Sequence, residues 1–185
     1  WSFEKIKKAI EGYGQIDVLI NNAGYGQLGT IVNTSEKQIR NQFETNVFGL
    51  LKVTKAVVPK MRKQKSGIMI NVSSVAGFIT NPHGGIYAAS KFSVEAITQS
   101  LRQEEWKYGI RVTSINPGPF DTKFWENTKS DIVTQNLLKK AMSRREDPII
   151  FAKKIENIIQ SDFIHPRYMV GGNANVMRIL YRILP

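Results

Sequence analysis

Ile68-Met69-Ile70-Asn71-Val72-Ser73 decides the fold. It is a short apolar run, rich in β-branched residues, that ends on small polar residues, the pattern of a strand buried on both faces. Working outward, Ile16-Asp17-Val18-Leu19-Ile20 has the same character and stops at Asn21-Asn22-Ala23-Gly24-Tyr25-Gly26. Ile110-Arg111-Val112-Thr113-Ser114-Ile115 stops at Asn116-Pro117-Gly118-Pro119, and Arg167-Tyr168-Met169-Val170-Gly171 gives a fourth strand. Helical patterns fill the intervals. One spans about 2–12, with Phe3, Ile6 and Ile10 in a stripe; a long one runs from Ser35 to about Lys65; another runs from about Tyr87 to Lys107. Ser35 with Gln38 makes a capping box, and Pro59 is the expected site of a bend. Asp147-Pro148 starts a further helix with proline at its first position. Strands separated by helices of this length imply a parallel sheet covered on both faces, in an α/β domain.

The composition agrees. The chain has 185 residues, 42% hydrophobic, with 26 Lys+Arg against 15 Asp+Glu and a net charge of +11. There is apolar material for one globular core, no apolar run of spanning length, and neither a repeat nor a low-complexity linker, so residues 1–185 read as a single domain. The absence of Cys excludes disulfides and thiolate chemistry, and His83 and His165 are too few and too far apart for a His-based metal site. A cytoplasmic location is expected. The densest basic cluster, Lys60-Met61-Arg62-Lys63-Gln64-Lys65, falls at a helix end, where cations complement the dipole; nucleic acid is not an expected partner.

The chemistry centres on Tyr87 and Lys91, four residues apart and so on one helix face. An adjacent ammonium favours the tyrosinate, which is expected to draw the phenol pKa down from its usual value near 10. Ser74 lies 13 residues before Tyr87, at the end of a strand. In a parallel sheet that strand end and the start of the following helix share the carboxyl edge, where ligands bind. Asn46 sits inside a helix, where Asn has poor propensity; it is either a buried Asn bonding to backbone or a proton-relay partner.

From Asp17 to about Thr122 the chain resembles the short-chain dehydrogenase/reductase family. The resemblance rests on Asp17 with Asn21-Asn22-Ala23-Gly24, on Asn46, on Ser74, on Tyr87 with Lys91, and on Pro117-Gly118 with Thr122. It implies a Rossmann-like, doubly wound parallel sheet of which only the C-terminal four strands are represented. It implies NAD(P)-dependent hydride transfer, with NADP favoured over NAD, on an alcohol or carbonyl substrate. Tyr87 would be the acid/base, Ser74 would hold the substrate oxygen, Lys91 would stabilise the tyrosinate and bind ribose, and Asn46 would complete the relay. Asn22, Ala23 and Gly24 would line the adenosine side; Pro117, Gly118 and Thr122 would contact the nicotinamide. The alternative is a non-catalytic cofactor-sensing or interaction module on the same scaffold.

The family's glycine-rich turn and second-strand region occur nowhere in these residues, so the sequence is read as lacking a natural N-terminal portion. Residues 119–146 read as a substrate-loop excursion containing a helix. Phe120, Phe124 and Trp125 there, with Phe78 and Ile79, suggest an apolar pocket for a hydrophobic substrate. The stretch from Met177 to Pro185 reads as a basic, apolar helix able to cap the site, join a subunit interface or touch a membrane surface. The family resemblance also implies a homo-oligomer paired through the Asn46 and Tyr87 helices.

Overall fold

The computed structural model describes residues 2–130, 134 and 145–172. Four strands, β1 (Val18–Asn21), β2 (Gly67–Val72), β3 (Ile110–Pro117) and β4 (Arg167–Val170), lie side by side in that order. Every pairing is parallel, with Val18 opposite Ile68, Gly67 opposite Ile110 and Ser114 opposite Arg167. This is the α/β Rossmann-like sheet the sequence implies.

Two strand boundaries differ from expectation by two residues, the others by one at most. β1 starts two residues late, because both backbone groups of Ile16 are taken by a side chain: its N–H donates to Gln64 Oε1 at 3.0 Å and its carbonyl accepts from Gln64 Nε2 at 2.9 Å. β3 runs on to Pro117, where pairing with Val170 continues, and the Gly118 N–H donates to the Val170 carbonyl at 2.9 Å.

The helices are α1 (Phe3–Glu11), α2 (Glu36–Phe43), α3 (Leu50–Gln64), α4 (Gly85–Glu105) and α5 (Pro148–Gln160). Ser35 and Gln38 cap α2 reciprocally, and Asp147 caps α5, accepting from the Ile149 N–H at 2.8 Å. The expected long helix exists, but its irregularity is not at Pro59, which sits inside an unbroken α3. It is a π turn at Glu44–Gly49 joining α2 to α3, and it contains Asn46. Such single π turns concentrate at functional positions.

In the central strands β2 and β3 alternate residues point to opposite faces and are buried on both. Ile68, Ile70, Ile115 and Val170 pack with Phe120, Ile158 and Ile164 on one side. Met69, Ile110 and Val112 pack with Val57, Val58 and Met61 of α3 on the other. At the amino edge α3 closes on Lys65, in the left-handed region at φ 55°. Gly109, at φ 74°, comes so close that a Cβ there would lie 2.3 Å from the Lys65 carbonyl oxygen.

The basic cluster at this edge has structural partners. Arg62 forms a two-pronged pair with Glu105 at 2.7 and 2.6 Å and lies over the Tyr108 ring, while Lys60 donates to the Ile10 and Tyr13 carbonyls. Among the described residues no helix is long and apolar enough to cross a membrane. The helix expected within the 119–146 excursion and the one expected at 177–185 lie largely or wholly outside the described residues.

Candidate active site

β1, β2 and β3 all end at one edge of the sheet, and their exits carry Asn22-Ala23-Gly24, Ser73-Ser74 and Gly118 respectively. α4 starts at the same edge, with Tyr87 as its third residue. A cavity of about 550 Å³ opens there, and Asn22, Gly24, Ser74, Tyr87, Lys91, Pro117, Gly118 and Thr122 all line it. Ala23 is an exposed loop residue outside this lining.

Ser74 has extended backbone and caps a short turn at Val75–Gly77, accepting from the Ala76 N–H at 3.1 Å. That cap fixes the hydroxyl beside α4. Lys91 is buried, lies 5.9 Å from the centre of the Tyr87 ring, and donates to the Val72 carbonyl at 2.9 Å. Burial lowers its pKa to about 8, opposed by the charge of Glu95. The Tyr87 phenol moves the other way. Burial raises it to about 12, only partly countered by a hydrogen bond with Ser74. The expected net lowering by Lys91 is therefore corrected, because loss of hydration outweighs every favourable contact to the tyrosinate.

Asn46 is 2% exposed and bonds to both backbone groups of one residue. Its Oδ1 accepts from the Tyr25 N–H at 3.1 Å and its Nδ2 donates to the Tyr25 carbonyl at 3.1 Å. Nδ2 also donates to Ser90 Oγ at 3.1 Å. Of the two sequence readings for this side chain, these contacts are those of a backbone clamp. The clamp still stands next to Lys91: a Cβ on Gly24 would lie 3.2 Å from Asn46 Oδ1 and 3.6 Å from Lys91 Nζ. Glycine here leaves room for close approach from the cavity.

Much of the remaining lining is apolar. Ile79, Phe120, Phe124 and Trp125 belong to it, joined by Leu28 and Phe151. Phe124 contacts the Tyr87 ring at 5.8 Å between centroids, and the Trp125 indole N–H donates to the Phe120 carbonyl at 2.8 Å. Phe78 is a correction: it is not part of the lining, and the Arg167 guanidinium lies 6.0 Å from its ring. The loop after β1 and the loop after β3 are tied together backbone to backbone. The Lys129 N–H donates to the Gly26 carbonyl, and the Leu28 N–H donates to the Lys129 carbonyl, both at 2.8 Å.

Sequence reasoning missed a polar group behind Ser74. Asn116, fully buried, donates to the Ser74 carbonyl at 3.0 Å and to Glu95 Oε1 at 2.7 Å, and Arg167 closes on Glu95 Oε2. Glu95 had a legible signal, since it stands four residues after Lys91 on the same helix face. Arg167 had none. His83, also on the cavity wall, is bonded through Nδ1 to Thr134 Oγ1 at 3.0 Å. Among the described residues no group of three His, Asp or Glu is arranged to hold a metal ion.

The family model described as short chain dehydrogenase matches residues 3–133. A 3-ketodihydrosphingosine reductase from Bacteroides thetaiotaomicron is 40% identical over 183 residues, covering 98% of this chain and 65% of that protein. An uncharacterized oxidoreductase from Schizosaccharomyces pombe is 45% identical over 121 residues, covering 65% of this chain and 51% of its own. The chain thus spans between half and two-thirds of the length of these curated relatives. Among solved structures, a short-chain dehydrogenase from Streptomyces avermitilis superposes with a TM-score of 0.82 at 27% identity, covering 98% of this chain and 74% of that one.

Proposed function

The chain belongs to the short chain dehydrogenase family, and within that family we propose that it carries the catalytic portion of a nicotinamide-dependent oxidoreductase interconverting a hydrophobic alcohol and its carbonyl compound. The reading rests on one observation above the others. Ser74, Tyr87 and Lys91, from a strand exit and one helix face, line a single cavity together with the apolar side chains of Phe120, Phe124 and Trp125. That combination suits a substrate with one polar reacting oxygen on a hydrophobic body.

In this reading the Ser74 hydroxyl holds the substrate oxygen. Tyr87 gives that oxygen its phenol proton in reduction and takes a proton back in oxidation. Tyr87, whose pKa burial raises to about 12, is protonated at neutral pH, which suits it as the acid. Lys91, as the ammonium, supports the tyrosinate once the proton has left and offers N–H donors to the ribose hydroxyls. Asn46, besides clamping the Tyr25 backbone, is assigned the relay between Lys91 and the proton supply. When bound, a nicotinamide supplies or accepts the hydride at the substrate carbon. The residues fit such a group: Gly24 leaves its approach open beside Asn46 and Lys91, and Asn22, Pro117, Gly118 and Thr122 share the same cavity. Gly118 also has a packing reason to be glycine, since a Cβ would lie 3.1 Å from the Gly171 carbonyl oxygen. Asn22 and Gly24, with Ala23 beside them, are assigned to the adenosine side.

NADP is proposed ahead of NAD, in a cytoplasmic protein that pairs with a second copy through the α2–α3 and α4 helices. Phe48 and Phe92, 48% and 45% exposed on those helices, would be covered by the pairing. The test is the whole protein assayed at 340 nm with NADH and with NADPH against apolar ketones and aldehydes. A 3-keto sphingoid base heads the panel, because a relative bears that name. Cofactor-dependent turnover that falls at least about 1,000-fold in Tyr87→Phe, with the fold intact, is the expected result. Tyr87→Phe turnover within a fewfold of the parent would remove the reading.

A further inference from the structure

Resting on the oxidoreductase reading above, we propose that Glu95 is a positioning residue for this site: held by Arg167 and Asn116, its carboxylate fixes the backbone of Ser74 and keeps a negative charge one helical turn beyond Lys91. Glu95 is 4% exposed, and Tyr87, Lys91 and Glu95 succeed one another at intervals of four along one face of α4. Its two oxygens take only donors. Oε1 accepts from Asn116 Nδ2 at 2.7 Å; Oε2 accepts from Ser114 Oγ at 3.1 Å and from Arg167 at 2.7 Å through Nε and 2.6 Å through the terminal nitrogen. Asn116 Nδ2 also donates to the Ser74 carbonyl at 3.0 Å. Two hydrogen bonds therefore separate the Glu95 carboxylate from the residue whose hydroxyl faces Tyr87.

The turn that follows Ser74 leans on the same side chain. A Cβ on Gly77 would lie 3.0 Å from Glu95 Cγ and 2.6 Å from Ser73 Oγ. A carboxylate suits this place better than an amide, because every group that reaches it is a donor and an amide would turn one N–H against another. Buried ion pairs seldom repay their desolvation in stability, so the pair gains most sense from what it positions.

The second half of the role is electrostatic. Glu95 is the charged group that opposes the lowering of the Lys91 pKa by burial. The other groups around Lys91 are Tyr87 on α4, the neutral Val72 carbonyl, Ser73 and Ser74 from β2 and its exit, and neutral Asn46 from the π turn. Arg167 of β4 is bonded to Glu95. Removing the Glu95 anion leaves Lys91 with no charge to offset its burial, and leaves the Arg167 cation uncompensated to lower its pKa further.

The experiment follows the Lys91 titration in the whole protein by NMR of 13Cε-labelled lysine, assigned by the resonance lost in Lys91→Arg, without any substrate. The alkaline limb of kcat/KM against pH is recorded beside it. Glu95→Gln is expected to move both midpoints down together by roughly one pH unit, and to lower kcat about tenfold through the loosened Ser74. Glu95→Asp, which keeps the charge, is expected to restore most of the shift. Arg167→Met is expected to move the Lys91 midpoint up. Opposite signs from two variants that both loosen the same cluster are not the mark of general damage, and they keep the test open if one variant folds poorly. A Lys91 midpoint unmoved in Glu95→Gln and Arg167→Met, with only the melting temperature lowered, overturns the inference while Tyr87→Phe still judges the reaction itself. Lys91 midpoints that shift as stated in a protein without turnover support the electrostatic role and sink the oxidoreductase reading alone.

Discussion

Lys91 Nζ stands 5.9 Å from the centre of the Tyr87 ring and bonds to the Val72 carbonyl at 2.9 Å. Sequence places these two residues on one helix face; the fold adds that Lys91 is buried and Tyr87 half-buried at the cavity, and the loss of hydration drives their pKa values in opposite directions. The amine becomes easier to deprotonate and the phenol harder.

Stability should carry the imprint of Lys91. A folded pKa of about 8 against 10.5 unfolded means that the unfolded chain binds more protons between those values, so the contribution is present above pH 10.5 and lost as pH falls through 8. Urea midpoints of the parent, measured relative to Lys91→Met, should rise from pH 8 to pH 10.5. Tyr87 acts oppositely: its contribution is complete below pH 10 and is lost as pH climbs through about 12. Comparison with Tyr87→Phe over pH 10 to 12 reads it.

Asn46→Ala removes three hydrogen bonds at once and leaves the Tyr25 N–H without its partner, while the Tyr25 carbonyl keeps Gln42 Nε2 at 2.9 Å. A loss of about 2–3 kcal/mol is expected in chemical denaturation. Faster hydrogen exchange at Tyr25 should accompany it, while exchange in β3 should stay near the parent rate.

Gly109→Ala tests the amino edge, far from the cavity. Positive φ and a Cβ 2.3 Å from the Lys65 carbonyl oxygen act together there, and a cost of about 2–4 kcal/mol follows. Cofactor affinity measured on the folded fraction should be unchanged.

Trp125→Ala and Phe124→Ala should separate substrate from cofactor. Both side chains belong to the apolar lining, and Phe124 touches the Tyr87 ring. KM for a hydrophobic carbonyl should rise roughly 10- to 100-fold, as expected for about 1.5–3 kcal/mol per buried apolar side chain. Cofactor binding by fluorescence titration should move less than about threefold on the same arithmetic.

Much of this architecture was legible beforehand, because strand and helix periods are local. Ile68 to Val72, flanked by helical stretches, fixes a buried parallel strand without reference to anything distant. Boundaries failed where a remote group intervened, as at Ile16, whose backbone is satisfied by Gln64. The site was legible to the extent that its members sit at strand exits or on one helix face, as Ser74, Tyr87 and Lys91 do. The Arg167 contact to Glu95 joins residues 72 positions apart, and no local pattern announces it. The direction of the Tyr87 shift was misjudged for a related reason: the pair charge could be read from spacing, whereas the loss of hydration depends on every element that closes over the ring.

Among the described residues, the hydrogen bonds that tie the loops after β1 and β3 run between the main chains of Gly26, Leu28 and Lys129. Side chains along the outer loop can therefore be exchanged to retune what the cavity accepts while the anchoring stays put, since no substitution short of proline at Leu28 or Lys129 deletes a donor. Such a hinge between a variable lining and a fixed mooring lets new specificities arise without re-registering the strands beneath.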